Sequence, residues 1–185
     1  MLKAKKGRIL ISEPSFNDSI FFKSVVLLTH HDDDDDESIG LILNQPTKIN
    51  LNEILNNIPL SDFPVYLGGP VEKQSLHFLH TLGELIPNSI KITNGIYFGG
   101  NFDTVIQLMK DKKITKKEIR FFVGYSGWGE NQLNTEIRED GWIVESSKDD
   151  LCMSYSSPKL WSDIIKTKKT EYAIWANMPK DPNLN

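Results

Sequence analysis

The amino-acid sequence predicts a single α+β domain, residues 1–185, built on a largely antiparallel sheet. Strand-like runs outnumber helical stretches, and the two do not alternate as they do in a parallel doubly wound fold. Size points the same way. The chain has 185 residues, 39% of them hydrophobic and four of them Trp, enough for one domain with a sizeable core.

Residues 8–11 read as a first strand, stopped by Ser12, Glu13 and Pro14. Residues 24–29 and 39–43 are nearly continuous apolar runs, the pattern of strands buried on both faces, and a short connector between them predicts an antiparallel pair. That connector carries His30, His31 and the acidic run 32–37. As a calcium loop starting at Asp32 it would need glycine where Glu37 stands and a bidentate glutamate where Leu43 stands, so it reads as a self-repelling loop tip. Asn44, Gln45 and Pro46 close the second strand. Asn50 and Glu53 have capping-box spacing for a short helix through Leu51, Ile54 and Leu55, ended by Pro59.

Residues 65–69 and 96–100 share the pattern apolar, Tyr, apolar, Gly, Gly. Each reads as a strand leaving into a glycine turn, Gly68-Gly69 and Gly99-Gly100, where the backbone takes positive φ or lets a segment or ligand approach closely. Residues 76–81 predict a strand that places His77 and His80 on opposite faces, a poor arrangement for joint metal binding. Phe102, Val105, Ile106, Leu108 and Met109 form a helical apolar stripe. Thr115 and Glu118 mark a single turn before a strand over 119–123, and 142–144 is a short strand. Ser157 and Pro158 supply N-cap and N1 for a helix through Leu160, Trp161, Ile164 and Ile165, and the tail from Trp175 onward reads as irregular.

The densest local instruction lies in Gly124, Tyr125, Ser126, Gly127, Trp128 and Gly129, read as strand, glycine turn and helix. Gly129 fits the N-cap, with Trp128 and Leu133 placed to close a hydrophobic staple and Gln132 able to reach back to the cap amide. Free amides at such a helix entry offer an anion site, and a rigid corner is the plainer reading. Gly124-x-Ser126 also has part of the nucleophile-elbow pattern of hydrolases. Against that, Trp128 stands where the pattern has glycine, and all four histidines precede Ser126.

The formal net charge of −4 argues against direct DNA binding, which draws its affinity from basic side chains on phosphates. Lysines near 3–6, 110–117 and 166–169 read as solvated faces. The single cysteine, Cys152, excludes a disulfide framework and a cysteine-based zinc cluster; it reads as a core residue, with a redox-sensitive thiol as the sharper alternative. No apolar run approaches membrane-spanning length and residues 9–11 are too short for a signal-peptide core, so a cytoplasmic protein is expected. No cofactor and no metal is called for.

Taken together, several blocks resemble the YqgE/AlgH family of bacterial proteins along nearly the whole chain. They are Gly7 to Ser12 with Pro14; Phe22, Ser24 to Leu28 and His30; Gly40 to Asn44 with Pro46; Tyr66 with Gly68 to Val71; Gly95 to Tyr97 with Gly99 and Gly100; and Gly124 to Trp128 with Gln132, Leu133, Glu136, Ile137 and Trp142. The resemblance implies an α+β domain with a bifurcated, partly barrel-like sheet flanked by helices. It implies no reaction, cofactor or catalytic residue, and only a suggested link to transcription. The acidic run 32–37 departs from the short glycine-containing loop more usual in the family, and the end, 179–185, looks like one branch's variant.

The expected function is therefore a non-enzymatic binding or regulatory module. Its candidate ligand-binding residues are Gly68, Gly69, Gly99, Gly100, Ser126, Gly127, Trp128 and Gln132, holding a small anionic ligand or a protein partner, with any link to transcription made through that partner. The alternative is a hydrolase-like enzyme with Ser126 as nucleophile and His30 or His80 as base.

Overall fold

Ile9, Ile11, Val25 and Leu27 are buried in one apolar cluster, while the residues between them, Leu10 and Val26, are buried in another. Strands covered on both faces need a layer above and a layer below, and that need organises the molecule. The computed structural model describes residues 2–14, 20–32, 34, 37–56, 58, 62–153, 159–168 and 172–177. In chain order the elements are β1 (Arg8–Ser12), β2 (Val25–His31), β3 (Ser38–Ile42), β4 (Pro46–Asn50), α1 (Leu51–Ile54), β5 (Pro64–Leu67), β6 (Val71–His80), β7 (Ile90–Lys91), β8 (Tyr97–Phe98), α2 (Phe102–Lys110), β9 (Ile119–Trp128), α3 (Gln132–Arg138), β10 (Trp142–Ser146), α4 (Asp149–Met153), α5 (Leu160–Ile165) and α6 (Tyr172–Asn177).

Among the described residues the strands form one ten-stranded sheet in the order β10-β1-β2-β3-β9-β6-β8-β7, with β4 and β5 off that path. Every pairing is antiparallel except that of β5 with β9. β9 is where the sheet forks. Phe121, Phe122 and Val123 pair with β5, Ser126, Gly127 and Trp128 pair with β3, and β6 runs from Ile119 to Tyr125 along the other edge. Gly124, at φ +67, sits at the changeover, opposite the register shift between Val71 and Leu76. A strand with this kink loses strict alternation: Phe122 and Tyr125, three apart, both pack on the cluster that holds Ile9 and Leu27. The result is a curled antiparallel half-barrel with helices.

The inner cluster is closed by Cys152, Trp161, Ile165 and Tyr172 from α4, α5 and α6. On the other side Leu10, Val26, Leu28 and Ile42 meet Trp128, Leu133, Trp142 and Val144 beneath α3. A third cluster places Val105 and Met109 of α2 with Val65, Phe78 and Phe121. Each fully buried Leu or Ile side chain contributes about 1.5–3 kcal/mol. Arg120 crosses this interior fully buried, donating to Cys152 O and Leu43 O at 2.7 Å each, its guanidinium 4.3 Å from the Tyr66 ring centre. It ties α4 to the sheet.

The capping box at Asn50 and Glu53 is present, and Asn101 caps α2 by accepting from Thr104 N at 2.8 Å. Three expectations need correction. The strand through 119–123 continues to Trp128, because pairing of Ser126 with Gly40 and Trp128 with Ser38 holds the glycines in the ladder; the turn falls at 129–131, and Asn131, at φ 55, precedes α3. The N-cap of α3 is Asn131 rather than Gly129, because β9 runs on to Trp128 and the helix starts only at Gln132. Trp175 and its neighbours are helical in α6, which docks on α5. Pro59, the Ser157-Pro158 start, Asp33, Asp35, Asp36 and the end from 178 onward lie outside the described residues. No helix among the described residues is long and apolar enough to cross a membrane.

Candidate functional site

The glycine and tryptophan stretch builds a corner closed by its own side chains. Gly129 N donates to Gln132 Oε1 at 3.1 Å, the reach-back its spacing predicts, and Gln132 Nε2 donates to Glu136 Oε1 at 2.9 Å. Glu136 Oε2 then accepts from the indoles of Trp128 at 2.9 Å and Trp142 at 2.7 Å. Trp128 and Leu133 share one buried cluster, but with Asn131 as the cap of α3 they do not stand at the N′ and N4 positions of a staple. A carboxylate stands where an anion at this corner would have to compete, and the Gly129 amide is taken.

Ser126 is fully buried within β9, and its hydroxyl donates to Gly68 O at 3.0 Å. The expected exposed turn is absent because this serine is a rung between strands, so the nucleophile-elbow geometry does not form. Gly68 and Gly69 let two backbones touch. A Cβ at Gly68 would lie 2.2 Å from Gly124 O, and one at Gly69 2.2 Å from Tyr125 O. Gly99 and Gly100 turn at φ +63 and +112 around a histidine knot. Fully buried His80 accepts at Nδ1 from Leu82 N–H at 3.2 Å, so its proton sits on Nε2, facing Ser89 Oγ at 2.9 Å and Gly99 O at 3.1 Å. Ser89 donates to Ile86 O at 2.7 Å, so its proton points away from His80, which is not placed as its base. Burial pushes His80 below the ordinary histidine value of 6.5.

Open space among the described residues lies elsewhere: one cavity of about 430 Å³ is lined by Ile9, Glu145, Asp150, Asp163 and Lys168, and another lies on the inner side of the half-barrel. The inner cavity, of about 440 Å³, is walled by Ile39, Leu41, Ile90, Phe98 and Tyr125, with Lys6, Thr29, His30 and His77 as its polar members. No carboxylate is among these residues. The His77 ring stacks on Phe98 at 5.9 Å and meets the Tyr125 ring edge-on at 5.8 Å; its Nε2 is buried with no hydrogen-bond partner among the described residues. Burial lowers the His77 pKa from 6.5, opposed in part by Glu72. Through His30, Ile39 and Tyr125 the cavity adjoins a second, of about 390 Å³, which runs past Val71 and Gly127 to Trp128 and Gly129 and includes Ser38 and Glu37.

Of the sequence-predicted residues, Gly127 and Trp128 line the second cavity, while Gly68, Gly69, Gly99, Gly100, Ser126 and Gln132 are not among the residues lining either. His77 and His80 do part to different surroundings, as strand geometry requires. Among the described residues no three His, Cys, Asp or Glu side chains converge as metal ligands. Sequence reasoning missed Lys6, Ile39, Leu41, Ile90, Phe98 and Tyr125 as a set. One signal was available: His77 shares strand parity with Leu79, a core position, and a histidine on the core-facing side of a strand marks a place where the core opens.

The AlgH-like family model matches residues 9–173. A UPF0301 protein of Bacteroides fragilis is 38% identical over 181 residues, covering 97% of this chain and 91% of that protein. A UPF0301 protein of Chlorobium limicola is 33% identical over 183 residues, covering 99% and 97%. The solution structure of the AlgH protein from Pseudomonas aeruginosa superposes with a TM-score of 0.73 at 21% identity, covering 97% of this chain and 99% of that one. A crystal structure of a Corynebacterium diphtheriae protein gives 0.76 at 18% identity, covering 96% and 94%. Those two likenesses bear on the fold, and the relatives and the matched family model on descent: the chain belongs to the AlgH-like family.

Proposed function

We propose that the protein is a non-enzymatic binding module that holds a small apolar anion in the inner cavity of the half-barrel. The observation that carries this reading is the cavity's lining: apolar walls from Ile39, Leu41, Ile90 and Phe98, with Lys6, His30 and His77 and no carboxylate. Its volume lies in the range of small-molecule sites, and the few polar groups on an otherwise apolar surface are what fixes a ligand's orientation. A regulatory effect, including one on transcription, would pass through a protein partner that distinguishes the filled from the empty form. The net charge of −4 keeps direct binding to a phosphate backbone out of the proposal.

The test is a fluorescence titration with 8-anilinonaphthalene-1-sulfonate, an apolar monoanion, against the wild type and Ile90→Glu. Ile90 is 51% exposed, so the substitution sets a carboxylate at the cavity wall with little effect on the fold. Saturable one-to-one binding, weakened about tenfold or more in the variant at unchanged melting temperature, is expected. Absence of saturable binding, or equal affinity in both proteins, would overturn the reading.

A further inference from the structure

Most of the glycines along the sheet have a reason that can be read from their surroundings. Gly40, Gly68 and Gly69 stand where a Cβ would meet backbone at under 3 Å, and Gly99, Gly100 and Gly124 hold positive φ. Neither reason applies to Gly127 or Gly129. Neither has positive φ; a Cβ at Gly129 would meet nothing within 4 Å, and one at Gly127 would come to 3.4 Å from the Tyr125 ring and 3.9 Å from Val71. Both glycines, together with Tyr125 and Val71, line the second cavity. What the missing side chains leave there is room, and that room adjoins the first cavity across His30, Ile39 and Tyr125.

The two cavities differ in charge. Lys6 belongs to the first alone, and Glu37 to the second alone. An anionic head group is attracted to the first and repelled from the second, while Val71, Ile39 and the Tyr125 ring offer an uncharged chain an apolar track past Gly127. We propose, building on the binding reading above, that the site takes an elongated aliphatic carboxylic acid, with its carboxylate beside Lys6 in the first cavity and its chain lying across Ile39 and Tyr125 over the side-chain-free floor at Gly127 and Gly129. Gly127 then sets the length of chain that the protein accepts.

The experiment is isothermal titration calorimetry of the full chain with straight-chain carboxylates from hexanoate to dodecanoate, below their micelle concentrations. Affinity is expected to rise about fourfold for each methylene added. Gly127→Val, which suits an extended strand residue, should bind hexanoate as the wild type does and lose about tenfold for dodecanoate. Should Gly127→Val fail to fold, Gly129→Val tests the same floor in open space. Amide resonances of Gly127 and Gly129 in the wild type should shift with dodecanoate and not with hexanoate. If hexanoate binds and affinity does not grow with length, or the growth survives both variants with those resonances unmoved, the extension is overturned and the binding reading stands. If no carboxylate binds at any length while the naphthalene sulfonate does, the acid assignment is overturned alone; if neither binds, both are.

Discussion

Glu136 accepts the indole N–H of Trp142 at 2.7 Å through the same carboxylate oxygen that receives Trp128 at 2.9 Å. Trp128 ends β9, Trp142 begins β10, and Glu136 lies on the helix between them, so one side chain closes the corner that joins the forked strand to the sheet's edge. Phe21 stacks on Trp128 at 5.7 Å and lies edge-on to Trp142 at 5.3 Å, covering the pair.

Replacing Glu136 by Ala should therefore cost more than a surface substitution. Both tryptophans are at most 3% exposed, and each indole N–H left unpaired costs about 1–3 kcal/mol. We expect a loss of about 2–4 kcal/mol in urea unfolding, with Glu136→Gln milder because the amide oxygen still accepts. A change within about 0.5 kcal/mol, ordinary for an exposed site, would mean the carboxylate does not hold the corner.

The glycine turns should separate by mechanism. Gly69→Ala drives a Cβ to 2.2 Å from the Tyr125 carbonyl, which the paired strands cannot yield, and should cost on the order of 4 kcal/mol or prevent folding. Gly99→Ala meets open space and is penalised only by φ +63, about 1–2 kcal/mol. Thermal unfolding of the two variants, compared side by side, checks this ordering.

Two histidines set the response to mild acid. His77 and His80 both have pKa values lowered from 6.5, burial being the main cause for each. Their neutral forms are favoured by folding, so the unfolded chain takes up protons first as pH falls. The stability they contribute is full above the unfolded value of 6.5 and is lost as pH falls below it toward the lowered folded values. His77→Phe should flatten part of that decline, read as unfolding free energy at pH 7.5 against 5.5. An unchanged slope would show that His77 is as readily protonated in the fold as out of it.

Cys152 should be inert. It is fully buried, and burial pushes its thiol up to about 12, so almost no thiolate exists near neutrality. Ellman's reagent at pH 8 should react with the native protein only on the timescale of unfolding and at once in denaturant. Rapid reaction of the folded chain would restore the redox alternative.

Local pattern carried much of the fold. The runs at 24–29 and 39–43 are nearly continuous apolar stretches, the pattern of strands buried on both faces, and they became β2 and β3 paired as expected. The apolar stripe of Phe102, Val105, Ile106, Leu108 and Met109 is a helix instruction complete within a dozen residues, and it became α2. Trp128, Gln132 and Leu133 likewise announced a rigid corner, though not that Glu136 and an indole from β10 would complete it.

The candidate site was legible only in part, because its walls come from different strands. His30 lies in β2, Ile39 in β3, His77 in β6, Phe98 in β8 and Tyr125 in β9; no spacing in the chain relates them. What the sequence by itself determined was the identity of the buried strands, the capping box at Asn50 and the glycine turns at 68–69 and 99–100, since periodicity, capping and φ preference act over a few neighbouring residues. Only the tertiary structure decided that β9 forks between β3 and β5, that Gly124 brings Tyr125 round to the inner face, and that a space opens there beside His77. Those outcomes depend on strand register, and register is a balance of packing across the whole sheet that no single segment contains.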